Sequence, residues 1–129
     1  MDSCAHLEAS GLSDVIAHVH DEYKWWTAVD AATSKDVDVY WHAHGDAAGL
    51  RELLVCANAS VSRLSRAIPA SVGTFYAFEA SPGLNVADIM AAAAGRLPLK
   101  TATAIALGLS RVVCACHANR IIVGTLCLR

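Results

Sequence analysis

Six histidines and five cysteines are the side chains of this 129-residue chain with the widest chemistry open to them. Three groups stand out by spacing: His18 with His20, His42 with His44, and Cys114 and Cys116 with His117. On a helix, residues two apart point about 200° away from one another, whereas helical metal ligands favour spacings of three or four. Neither histidine pair then shares a face, and within the third group only Cys114 and His117 have ligand spacing. Free thiols in apolar runs act as small hydrophobes, so buried thiols beside a rim histidine account for that group without a metal. A nucleophilic cysteine needs a nearby base and an open, electropositive setting. Cys56, on an apolar stripe, has no evident base, and no glycine-rich phosphate loop follows a strand. The expectation is a chain with no cofactor, no metal and no enzymatic activity.

The elements that would carry any site are organised around Leu84 to His117, which is apolar on nearly every side. A helix of that kind is either a membrane span or the centre of a helical protein. Asp88, Arg96, Pro98, Lys100 and Arg111 interrupt every window long enough to span, so the core reading is preferred and no membrane span is expected. Val86, Ile89, Met90, Ala93, Ala94 and Leu97 keep helical spacing, and Pro98 falls where one helix must stop and a second can begin. Ala91 to Gly95 have almost no side-chain volume, which suits close helix packing. The expected centre is a tight, buried helical hairpin.

Around it, Ser13 and Asp14 can cap a first helix whose apolar positions are Leu12, Val15, Ile16, Val19, Tyr23 and Trp26. Asp36 can begin a second helix with Val37, Trp41 and Ala48. Leu50, Leu53, Leu54, Ala57, Val61 and Leu64 form the clearest amphipathic stripe. Val72, Phe75, Tyr76 and Ala80 suggest a short helix before Ser81-Pro82-Gly83, and Asn119 to Leu128 a last one. No strand alternation is read, so the fold class expected is all-α, a bundle of about seven helices in a single domain over residues 1–129. Apolar residues make up 55% of the chain, and 10 basic against 12 acidic residues leave a net charge of −2, which argues against nucleic acid or anionic lipid as the main partner. The start, MDSCAHLEASG, has no secretory pattern, and a cytoplasmic location follows. Cys4 reads as an exposed thiol able to cross-link two chains.

Several short motifs stand in an order that resembles the Bcl-2 family of apoptosis regulators, especially divergent viral members of the pox- or iridovirus kind. They are Val37, Trp41, Gly45, Asp46 and Ala48, continued by Leu50 and Arg51; then Gly73-Thr74-Phe75-Tyr76; then Gly83-Leu84-Asn85 opening the central helix. The resemblance implies a Bcl-2-like helical bundle around its hydrophobic hairpin. It further implies an inhibitor of apoptosis that sequesters the death-motif helix of pro-apoptotic Bcl-2 family proteins in a surface groove. The groove carried over from the family comprises Ala48, Leu53, Cys56, Phe75 and Phe78 as walls and Val86, Ile89 and Met90 as floor. Asn85 serves as helix cap or ligand contact, and Arg51 is the remaining cation for the ligand's acidic residue. Asp88 stands where the family has arginine, which implies a narrow ligand range. Host-cell cytoplasm, with association to mitochondria through such partners, is the location implied. Two alternatives stay open: a helical adaptor or dimerisation module anchored on Trp25, Trp26 or Trp41, and a homodimer that partly covers the groove.

Overall fold

The computed structural model describes residues 2–20, 23–43, 62–81 and 83–120. The chain divides into two compact units, residues 1–50 with 62–80, and residues 51–61 with 81–129.

The first unit begins with α1, Ser3–Ala9, whose N-terminus is capped by Asp2: its carboxylate accepts the Cys4 N–H at 3.0 Å. Five strands follow: β1 (Leu12–His20), β2 (Tyr23–Asp30), β3 (Lys35–His42), β4 (Leu64–Pro69) and β5 (Thr74–Glu79). They form one sheet in the order β1-β2-β3-β5-β4, and every neighbouring pair is antiparallel. The reason is clearest in β3, where Asp36, Val37, Asp38 and Val39 alternate charge with β-branched residues. Side chains on a strand point to opposite faces in turn, so both valines enter the core and both aspartates leave it. Leu7 of α1 closes the core over that face, against Leu12, Trp26, Ala28, Val37, Val39, Ile68, Phe75 and Ala77. Trp26 and Phe75 meet edge to face at 5.2 Å, a favoured aromatic geometry.

Two turns fix the register. Between β2 and β3, Asp30 Oδ1 accepts the Ala32 N–H at 2.9 Å and Asp30 O accepts the Ser34 N–H at 2.7 Å. Between β4 and β5, Gly73 adopts φ +76°, and a Cβ there would lie 2.4 Å from the His42 carbonyl oxygen. The Trp41 Nε1–H donates to the Val72 carbonyl at 3.0 Å and ties this turn to the end of β3.

The expected all-α, Bcl-2-like bundle is therefore replaced by an antiparallel sheet with helices. The first expected helix is the β1–β2 hairpin. Its helical look comes from an irregularity between Ser13 and Ile16, where Asp14 takes φ +51°. The extra residue puts Leu12 and Val15, three apart, on the core side and Ile16 on the other, which imitates helical spacing. The second expected helix is β3, and Val37 with Trp41 fit either period; the decisive residues are Val39 and the flanking aspartates. The short helix expected over Val72 to Ala80 is the β4–β5 turn and β5. The amphipathic stripe from Leu50 lies outside the described residues, except that Leu64 opens β4. With the bundle gone, the death-motif groove, the pro-apoptotic partners and the other properties inherited from the Bcl-2 resemblance lose the scaffold on which they rested.

In the second unit the expected helix, break at Pro98 and second helix are present as α2, Val86–Ala92, and α3, Leu99–Ala118. Asn85 Oδ1 caps α2 by accepting the Asp88 N–H at 2.8 Å. What differs is burial. Neither helix is the centre of a core: α2 has no buried residue and α3 has one, Cys116. The expectation of no membrane span is also corrected, because α3 has 20 residues, a mean hydropathy of 1.4 over its best window, and so the length and composition to cross a bilayer. Lys100 sits at its end, which leaves Arg111 as the one interior charge.

Candidate functional site

The sheet has one face under α1 and one facing away from it. By register and alternation the outer face carries Ile16, His18, Trp25, Thr27, Asp38, Tyr40, Tyr76 and Phe78. At its β1–β3 end, His18 Nε2 is 2.8 Å from the Thr27 hydroxyl, and its ring stacks on Trp25 with centroids 5.2 Å apart. Asp38 is the cross-strand partner of Thr27, half-buried in the same patch. Burial raises its carboxyl above the ordinary aspartate value; the charge of His18 opposes that rise and the neighbouring Asp36 adds to it. Tyr40 meets Phe78 edge to face at 6.1 Å, and Tyr76, opposite Tyr40, is buried with no hydrogen-bond partner for its hydroxyl. The arrangement is an aromatic patch with a small polar centre.

The rim of that patch is β1, an edge of the sheet. From Ile16 to His20 it runs in regular register with β2, and Ile16 is 58% and Val19 71% exposed, one on each face. The opposite edge, β4, is protected. It ends in Pro69, its pairing is irregular between Leu64 and Arg66, and the Pro69 carbonyl is held by His6 Nε2 at 2.9 Å. Arg66 reaches from this outer strand to Asp30 Oδ1 at 3.0 Å, and to the carbonyls of Ser10 at 2.7 Å and Gly11 at 3.1 Å. A bond from β4 to the end of β2 requires the sheet to curl around its core. Burial alone would raise the Asp30 carboxyl, but the Ala32 N–H, the Arg66 charge and the Ser65 hydroxyl outweigh it and hold it below the ordinary value.

The groove residues expected from sequence do not gather on one surface of the sheet. Phe75 is in the core, and Phe78 is half-buried on the opposite face of the same strand. Asn85 is the α2 cap, Asp88 is exposed in its first turn, and Val86, Ile89 and Met90 are half-buried along α2. Ala48, Arg51, Leu53 and Cys56 lie outside the described residues. Cys4, expected as an exposed thiol, is half-buried on α1 against the core. His18, His20 and His42 belong to strands and not to helices, so the helical spacing rule does not apply to them. Among the described residues no group of three or more His, Cys, Asp or Glu is placed to hold a metal ion. Thr27, Asp38, Tyr40 and the Asp30–Arg66 pair were missed in the sequence; the Asp36 to Val39 alternation was the available signal. No protein-family model matches the chain, and no curated protein matches it.

Proposed function

We propose that the chain is a binding module that takes up an extended, basic segment of a partner along β1. The observation that carries this reading is the contrast between edges among the described residues: β4 is closed by Pro69 and its tie to His6, whereas β1, past its own irregularity between Ser13 and Ile16, runs in regular register to His20 with Ile16 and Val19 exposed. An unguarded edge pairs readily with a further strand, whose main chain supplies affinity and whose alternate side chains supply specificity. On the outer face those side chains would meet Ile16, His18 and Trp25, so of the three tryptophans expected as adaptor anchors Trp25 keeps that role, while Trp26 is in the core and Trp41 is tied to the β4–β5 turn. Basic character follows from charge. Residues 1–80 carry five Lys or Arg against eleven Asp or Glu, a net of −6, and Asp14, Asp36 and Asp38 lie on β1 or within two strands of it.

A displayed library of ten-residue peptides, selected on the full chain and read by fluorescence anisotropy, tests this. The expected hits alternate apolar residues and carry Lys or Arg. Ile16→Lys or Val19→Lys should weaken them at least about tenfold while leaving thermal stability nearly unchanged, since both sites are exposed. Amide exchange at Ile16 to His20 should slow on binding. Affinity unchanged from the parent chain in both variants, or protection confined to other strands, would refute the reading.

A further inference from the structure

The charge of the chain is divided along its length. Residues 81–129 carry five Lys or Arg and one acidic residue, a net of +4, against −6 for residues 1–80; together these give the −2 of the whole chain. The overall balance thus conceals a basic C-terminal region. Within it, α3 leaves Leu99, Leu107 and Leu109 exposed at 83%, 50% and 44%. A core helix of a soluble protein can match its length and hydropathy, but such a helix is mostly buried, and only Cys116 is buried here.

The angular positions on α3 decide how it would meet lipid. At 100° per residue, Lys100 and Arg111 fall about 20° apart on one stripe, three turns from one another. Leu107 falls on that stripe, and Thr103 and Ser110 lie beside it. Ile105, Leu109, Val112, Val113 and Cys116 occupy the other side, where Leu109 is exposed, Ile105, Val112 and Val113 are half-buried and Cys116 is buried. An interior arginine is costly at the centre of a bilayer, which disfavours a perpendicular crossing. A helix lying in the plane of the headgroups avoids that cost, because both cations reach phosphate while the exposed Leu109 and the half-buried Ile105, Val112 and Val113 enter the acyl boundary. Ser110 does not oppose this, since its hydroxyl donates back to the Ala106 carbonyl at 2.8 Å.

We infer that α3 is a lipid-surface helix that docks the protein on anionic membranes, with Lys100 and Arg111 toward the phosphates. This is independent of the β1 reading. Flotation of the full chain with phosphatidylcholine vesicles, with and without one-quarter phosphatidylglycerol, tests it. The protein should rise with the anionic vesicles and fall at least about tenfold in bound fraction without the anionic lipid. Lys100→Glu with Arg111→Glu should abolish flotation, and Ile105→Ser with Leu109→Ser should reduce it several-fold. Near-ultraviolet circular dichroism of the sheet-unit tryptophans shows that each variant still folds. Absence of flotation with either vesicle would overturn the inference. So would flotation that ignores lipid charge and the double charge reversal, or retention on RNA in place of vesicles.

Discussion

In the sheet unit Val37 and Val39 are at most 1% exposed, while on α3 three leucines stand open to solvent. Both segments are rich in apolar residues, so composition does not distinguish them. What differs is partnership. Strand alternation delivers every second residue of β2, β3 and β5 to one face, and α1 covers it, so the unit carries its own core. Among the described residues, the apolar side chains of α3 have no comparable enclosure. The lesson is that, among the described residues, the apolar helix α3 buries one side chain, whereas an alternating run of aspartate and valine sends both its valines into the core.

Phe75→Ala sharpens the contrast most. It removes a ring from the centre of the sheet core and should cost about 3 to 5 kcal/mol in urea unfolding, whereas Leu107→Ala on α3 should change stability by less than about 0.5 kcal/mol without lipid. A similar cost for both would erase the distinction. Next is Asp30→Ala. It strands Arg66 near the surface of the curled sheet, and a loss of about 3 kcal/mol is expected, near the low end for breaking a buried pair because Arg66 is partly exposed. Gly73→Ala should cost about 1 to 3 kcal/mol, since its φ is positive and a Cβ would meet the His42 carbonyl and the Trp41 ring.

The smallest effect is in pH dependence. The folded state raises the Asp38 carboxyl, so it favours the protonated form; stability from this group is present below the ordinary carboxylate range and declines as pH rises through the raised value. Asp38→Asn should therefore stabilise the protein at neutral pH and remove that decline. Asp30 has the opposite sign. Its lowered value adds stability above the ordinary range, which is lost as pH falls through the lowered one, and Asp30→Asn should flatten the acid limb of the stability profile. Thermal melts from pH 3 to 8 read both.

The helical half of the fold was legible: Pro98 separates α2 from α3, and Asn85 caps α2, as their residue types dictate. The sheet was hidden by coincidences of spacing. Leu12 and Val15 imitate a helical face because of an irregular residue, and Val37 with Trp41 obey both periods. Gly73, compatible with a helix approach in sequence, is required by a turn. The polar centre could not be read because His18, Thr27 and Asp38 meet only across three paired strands. The two unlike edges were equally invisible, since edge position is a property of strand order.

Hydrogen exchange of the full chain in buffer, resolved by residue and repeated with anionic vesicles, puts the contrast between the units to its most direct test. The expected result is slowest exchange at Val37 to Val39 and Phe75 to Ala77, with α3 amides faster in buffer and slowed when vesicles are added. Amides of α3 protected in buffer as strongly as those of β3, and unchanged by lipid, would contradict it.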